Sequence, residues 1–219
     1  MARVAAAFAD NGRGVRGDMK AVVRAVLLDP EARADPAPGE LRKGKLREPI
    51  LRITAWMRAF DVRSRSGGWA YYITNDPATT IGQTPMQSPS VFNFFRPGYV
   101  PPQSEAGRAG MVVPEMQITS ETTVASYVNV VEQTVGYFGT GFLLDLNTDY
   151  PAEVALADDP AALVERVNLL LAAGSMGEPT KALIREAIES VPPGLFYREN
   201  RARLAVLFAM SSADFIVQK

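Results

Sequence analysis

Apolar residues recur along this chain at the spacing of three to four residues that marks one face of a helix. Several of these stretches also carry helix start or stop signals, such as Asp18, Pro49 and the Asp159-Pro160 pair. No stretch shows a competing strand pattern. The pattern therefore predicts an all-α fold, an irregular helical bundle, with helices over residues 2–9, 18–28, 49–60, 119–138, 160–173, 179–191 and 197–210 and a short turn over 213–218.

Regular periodicity fails between residues 61 and 118, where the chain is predicted to be largely irregular. The most unusual part runs from Pro85 to Pro102 and combines prolines with Phe92, Phe95 and Tyr99. Proline fixes φ and lacks an amide donor, so neither a long helix nor a central strand is expected here. We expect a stiff, extended loop that inserts its aromatic rings into the helical core. Two interpretations stay open: these rings line a pocket, or they seal a gap between helices.

The length of 219 residues and the formal charge of -1 narrow the possible classes of protein. A chain of this size can bury a substantial core, and we expect a single helical domain over residues 1–219. The balanced charge gives no reason to expect a nucleic-acid partner. No apolar run approaches the roughly 20 residues needed to cross a bilayer, and the N-terminal residues do not form a signal peptide.

The chain contains neither cysteine nor histidine. Thiolate nucleophiles, imidazole bases and metal sites built from cysteine or histidine are therefore excluded. Any catalysis would rest on carboxylates, hydroxyls, lysine, backbone dipoles or a hard cation held by oxygen atoms.

Gly12, Gly14 and Gly17 form a literal G-x-G-x-x-G motif, the spacing found in dinucleotide-binding turns. That motif requires a preceding strand, whereas here an alanine-rich helix is predicted. A glycine turn between two helices is the favoured interpretation.

Several separated stretches resemble an uncharacterised bacterial family known as domain of unknown function 1800, in residues 8–18, 21–30, 44–52, 86–102, 114–123 and 210–218. The resemblance spans the chain and keeps the order of these motifs. It implies that the chain corresponds to the C-terminal portion of longer proteins that are usually exported. It implies no established activity. Self-association into a homo-oligomer stays open. The localisation of this chain stays unknown.

Asp145, Asn147 and Asp149 alternate along the chain, and Glu153 follows four residues later. Alternating oxygen ligands of this kind begin calcium-binding loops. A complete EF-hand is excluded because Tyr150 stands where glycine is needed. A looser Ca²⁺ site, with Asp145, Asn147 and Asp149 as ligands, is one hypothesis; a turn rich in Asp and Asn side chains is the favoured alternative.

Two functions follow as hypotheses. One is a calcium-dependent hydrolase of small esters or lactones, in which Asp149 or Glu153 acts as the base and Phe92, Phe95 and Tyr99 bind the substrate. The other is a non-catalytic helical binding or assembly module of an exported protein, which binds its partner through the proline- and aromatic-rich loop.

Overall fold

The computed structural model describes residues 1–34, 44–71, 74–136 and 145–218. Within them the chain groups into two compact units, one in residues 1–34 and the other in residues 44–218. The single domain over 1–219 stays a prediction. The mostly α-helical fold class is confirmed, because helices account for nearly all of the regular structure in the described residues.

The first unit contains three helices: α1 (Ala2–Ala9), α2 (Met19–Leu27) and α3 (Pro30–Arg33). The glycine motif forms the turn between α1 and α2, and Gly12, Gly14 and Gly17 all have positive φ. The Asp18 carboxylate caps α2 by accepting bonds from the Lys20 and Ala21 amides. The glycine-turn interpretation is therefore confirmed. α3 follows α2 after two residues, and residues 35–43 lie outside the described part of the chain.

The second unit contains both long and short helices around one core. Its elements are α4 (Pro49–Ala59), α5 (Glu105–Arg108), a 3-10 helix (Pro114–Ile118), α6 (Glu121–Val135), α7 (Pro151–Ala155), α8 (Pro160–Ala172), α9 (Glu178–Glu189), α10 (Tyr197–Ser211) and α11 (Ala213–Ile216). Ser120 caps α6 through a capping box with Thr123, and Asp159 caps α8. The predicted end of α6 at Phe138 lies outside the described residues.

Two antiparallel strand pairs, each two residues long, join distant parts of this unit. β1 (Lys45–Leu46) pairs with β4 (Val217–Gln218), and β2 (Arg63–Ser64) pairs with β3 (Leu146–Asn147). The sequence did not predict these strands, because two residues are too short to show an alternating pattern. These pairs bring distant chain segments together, and the β2–β3 pair places Asp145 beside the loop that follows β2.

The core of the second unit combines apolar packing with buried hydrogen bonds. The fully buried Trp56 of α4 donates from its indole nitrogen to the Tyr150 hydroxyl at 2.8 Å, and that hydroxyl donates to the Val135 carbonyl at 3.3 Å. Tyr127 of α6 donates to the Met210 carbonyl of α10 at 2.9 Å. Buried tyrosine and tryptophan need such partners because an unpaired polar group in a core costs free energy. These bonds fix the ends of α4, α6 and α10 around the core.

Candidate functional site

Asp145 lies directly before β3 and organises the loop that leaves β2. Its carboxylate accepts a bond from the Ser64 hydroxyl at 2.7 Å, one from the Ser66 amide at 2.6 Å and one from the Ala70 amide at 2.8 Å. The Arg65 amide donates to the Asp145 carbonyl at 2.7 Å, which extends the strand pairing by one residue. One side chain therefore holds a seven-residue loop, 64–70, in place.

These bonds also set the charge state of Asp145. Hydrogen bonds from the Ser66 side chain and amide, and from the Ser64 hydroxyl, hold the pKa of Asp145 well below its usual range. A carboxylate that accepts several such bonds is stabilised in its ionised form. Both of its oxygens are directed at the loop, so its proposed part as a calcium ligand competes with these partners.

The other two predicted ligands have different surroundings. Asn147 belongs to β3 opposite Arg63, and its side chain is exposed. Asp149 is exposed and forms no hydrogen bond or ion pair with any described residue. Among the described residues, no group of three or more acidic side chains lies close enough together to hold a metal ion. The donor set therefore gives calcium little support, and the Ca²⁺ site stays a prediction that rests on Asn147 and Asp149.

Glu153, the other candidate base, lies in the first turn of α7 and is almost fully buried. Its Oε1 atom accepts a bond from Nε of Arg166 in α8 at 2.5 Å. Removing one partner of a buried ion pair is costly because the other charge is left uncompensated. The arrangement supports a structural link between α7 and α8, and a role for Glu153 as a general base stays a prediction.

The predicted substrate-binding residues lie at the surface. Phe92 is 57% exposed and its neighbour Val91 is 95% exposed, while Phe95 and Tyr99 are partly buried. The expectation that this segment inserts its aromatic rings into the core is wrong, because none of them belongs to the buried core. The physical reason is local: the chain turns tightly here, with a bridge between Ser90 and Asn93, and side chains on a tight turn cannot all face inward.

Polar contacts, rather than ring burial, hold this proline–aromatic segment (residues 85–102) against the rest of the unit. The carboxylate of Glu48, at the start of α4, accepts a bond from the Asn93 side chain at 3.0 Å and one from the Gln83 side chain at 2.6 Å. Asn93 has a φ of 70°, a left-handed conformation that asparagine tolerates better than most residues.

Two further bonds tie the C-terminal half of the segment to the chain that follows it. The Arg96 amide donates to the side-chain oxygen of Gln117 at 2.7 Å, and the Val113 amide donates to the Tyr99 carbonyl at 2.9 Å. The segment is thus held at Asn93, Arg96 and Tyr99, while Met86, Val91, Phe92 and Val100 remain exposed.

The two predicted halves of the hydrolase site are held by different partners. The acidic residues contact the β2–β3 pair and α8, whereas the aromatic residues lie on a segment tied to α4 and the 3-10 helix. In the described part of the chain, no hydrogen bond, ion pair or ring contact joins the two sets. Their use of one common substrate stays a prediction.

The sequence also gave no site role to Trp69, which lies on the loop that Asp145 holds. Together with Thr54, Met57, Arg58, Asp61 and Val62, Trp69 lines a cavity of about 350 Å³. The available signal was a tryptophan after two glycines in a polar stretch, where burial is not expected. Such a residue is a candidate for binding because large apolar surfaces on turns are otherwise unfavourable.

A family model described as "Protein of unknown function (DUF1800)" matches residues 1–217. No curated protein and no solved structure matches the chain. Within the described residues, none of the helices combines the length and the apolar character that crossing a membrane requires.

Proposed function

The chain belongs to this family of unknown function, DUF1800, and we propose that it is a non-catalytic helical binding module whose partner-binding surface is the proline–aromatic segment. The observation that carries the proposal is the exposed apolar surface of Met86, Val91 and Phe92 on a segment that hydrogen bonds hold at Asn93 and Arg96. The partner is a protein surface, and a second copy of the chain is the first one to test.

The composition of the segment suits a protein interface. Aromatic residues and arginine are enriched at the centres of such interfaces. Within eight residues the segment contains the exposed Phe92 and Arg96 and the partly buried Phe95 and Tyr99. Its prolines and its bonds to Glu48 and Gln117 restrict the free segment before binding. Less conformational entropy is then lost on association, so more of the contact free energy remains as affinity.

The contacts of the acidic residues favour this function over hydrolysis. A calcium-dependent hydrolase needs carboxylate oxygens that are free to bind the ion or to accept a proton. The carboxylate oxygens of Asp145 accept bonds from the 64–70 loop, and the carboxylate of Glu153 is paired with Arg166.

The test places a photo-reactive benzoylphenylalanine at position 92 and, as a matched control, at position 195. Leu195 is 84% exposed and lies outside the segment. After irradiation of the purified protein, we expect a cross-linked dimer from position 92 and little from position 195. Sedimentation should show concentration-dependent association that Phe92→Ser weakens and Leu195→Ser does not.

Irradiation in the native host extends the test to other proteins. Cross-linking at position 92 no stronger than at position 195, in both the purified protein and the host, contradicts the proposal.

A calcium-dependent ester or lactone hydrolase is the second candidate, because Asp149 keeps a carboxylate without a partner among the described residues. Its test is a calcium titration followed by thermal unfolding, together with hydrolysis of p-nitrophenyl acetate and of a small lactone. The hypothesis requires chelator-sensitive turnover and a calcium-dependent rise in Tm, both abolished by Asp149→Ala. Turnover that ignores the chelator, or the absence of both effects, contradicts it.

A further inference from the structure

The cavity beside Trp69 has the features of a small-molecule site. Its volume of about 350 Å³ lies at the small end of the roughly 300–1,000 Å³ found for ligand pockets. Met57 and the buried Val62 provide apolar surface, and Arg58 and Asp61 are exposed polar residues that also line it. The lining thus combines the apolar Met57, Val62 and Trp69 with the polar Thr54, Arg58 and Asp61, and polar groups of this kind orient a molecule in a ligand pocket.

Trp69 is fixed in this site by bonds along its loop. Its amide donates to the Ser64 hydroxyl at 3.0 Å, the preceding Gly68 amide donates to the Ser66 hydroxyl at 3.0 Å, and the following Ala70 amide donates to Asp145. Three consecutive amides are thus anchored. The backbone is held rigidly enough to present the indole.

The conformation of Trp69 is also unfavourable by itself. Its φ of 52° places a bulky side chain in the left-handed region, which is unfavourable for an L-residue. Strain of this kind persists only where the surroundings enforce it, and it concentrates at binding sites. The result is an indole with 54% of its surface exposed and with no hydrogen bond from its nitrogen to any described residue.

The polar groups beside the indole are available to a ligand. Among the described residues Arg58 has no carboxylate partner, and its guanidinium makes only a long 3.5 Å contact with the Thr54 carbonyl. Asp61 pairs at 2.9 Å with Arg63, and both side chains are more than four-fifths exposed. An exposed pair of this kind contributes little, so a ligand can replace it at small cost.

We propose that this cavity binds a neutral saccharide. The face of a sugar ring carries C–H groups with positive partial charge, which complement the negative face of the indole, while its hydroxyl groups both donate and accept. Arg58 supplies donors, and Asp61 supplies acceptors. A neutral ligand with hydroxyl groups can bond to both side chains at once, whereas a carboxylate would satisfy only Arg58 and a cation only Asp61.

This inference does not depend on the proline–aromatic segment or on the function proposed for it. The cavity is lined by α4, by the turn between α4 and β2 and by Trp69 of the loop after β2, so the two proposals fail separately. Cross-linking at position 92 reports on one, and sugar binding at Trp69 on the other.

Tryptophan fluorescence provides the test, because the chain has only two tryptophans and Trp56 is buried. The probes are cellotetraose, maltotetraose and chitotetraose, with benzoate and indole-3-acetate as non-sugar competitors. We expect a saturable change with at least one of the sugars, with a Kd on the order of 1 mM or below. Trp69→Ala should abolish it, Trp69→Phe should weaken it, and Asp61→Asn and Arg58→Gln should each weaken binding about tenfold, as for loss of a charged hydrogen bond.

Saturation-transfer NMR on the sugar gives a second readout that does not need a tryptophan signal. Transfer should be seen with the wild-type chain and with the control Leu195→Ala, and it should be lost with Trp69→Ala while the circular dichroism spectrum is unchanged. Should Trp69→Ala disturb the fold, Asp61→Asn takes its place: weaker sugar binding supports the proposal, and unchanged binding contradicts it. Absence of Trp69-dependent binding for every sugar, or tighter binding of benzoate or indole-3-acetate than of all the sugars, overturns the proposal.

Discussion

Phe215 and Phe92 are chemically identical side chains in opposite settings within the same unit. Phe215, on α11, is fully buried, and the guanidinium of Arg47 lies 4.5 Å from the centre of its ring. Phe92 lies on the proline–aromatic segment with more than half of its surface exposed. The first is placed by packing among helices, while the segment that carries the second is placed by hydrogen bonds. The comparison shows that this unit uses two separate means of ordering its chain.

The largest expected difference comes from truncating each ring. Phe215→Ala should lower the free energy of unfolding by roughly 3–5 kcal/mol, because it removes a buried aromatic side chain and leaves a cavity. Phe92→Ala should change it by less than about 0.5 kcal/mol, as for a surface position. Urea denaturation of both variants measures the two values. Equal losses would mean that the aromatic segment belongs to the core after all.

A second, smaller effect is expected at Asn93, which anchors the segment to Glu48. Asn93→Ala should lower the free energy of unfolding by about 1–2 kcal/mol, because it removes one hydrogen bond and places alanine in a left-handed conformation. Asn93→Gly removes the same bond, but glycine adopts the left-handed conformation readily, so the free energy of unfolding should fall by less. Urea denaturation again measures both.

The control for this pair is Asn75→Ala. Asn75 also donates from its side chain, to Gln87 at 3.2 Å, but it lies at an exposed position outside the left-handed region. Asn75→Ala should change the free energy of unfolding by less than about 0.5 kcal/mol. If Asn93→Gly costs as much as Asn93→Ala, backbone conformation is not the cause.

The parts of the fold that local signals determine could be predicted from the sequence. Asp18, Ser120 and Asp159 each cap the helix that follows them, and a cap acts within one turn. Burial follows the helical spacing of apolar residues less closely. Leu183 and Val124 fit the helical spacing of their helices, yet both are more than half exposed, because the neighbouring elements cover only part of each helix face.

The candidate site could be predicted only as a set of residue types. Carboxylates at Asp145 and Glu153 are visible in the sequence, but their partners are not: Ser64 lies 81 residues from Asp145, and Arg166 lies 13 residues from Glu153. Long-range pairs of this kind depend on how the helices pack. For the same reason the sequence around Trp69 does not show that α4 and the turn after it line a cavity beside the indole.

A third effect is local to the 64–70 loop, which Asp145 holds as Glu48 holds the proline–aromatic segment. Asp145→Ala should accelerate hydrogen exchange of the Ser66 and Ala70 amides by about tenfold or more, because both lose a charge-assisted hydrogen bond. Hydrogen-exchange mass spectrometry or NMR measures the rates.

Asp149→Ala is the matched control for the loop, since Asp149 has no partner among the described residues. It should leave the exchange of these amides unchanged. An equal effect of both substitutions would show that the loop is ordered by something other than the Asp145 carboxylate.

The last and smallest effect is the pH dependence of this loop. Bonds from Ser66 and Ser64 hold the pKa of Asp145 well below the ordinary aspartate value of about 3.9, so the folded loop favours the ionised form more than the unfolded chain does. The stabilisation of the loop is complete above that ordinary value, declines as the pH falls below it, and is lost once the pH passes the lowered pKa of the folded state.

Acid titration of Trp69 fluorescence should therefore show a transition below about pH 3.9 in the wild-type chain. Asp145→Asn cannot titrate at this position, so the transition should be absent from its profile. The same acid transition in both proteins would assign it to another group and would remove Asp145 as the residue that orders the loop.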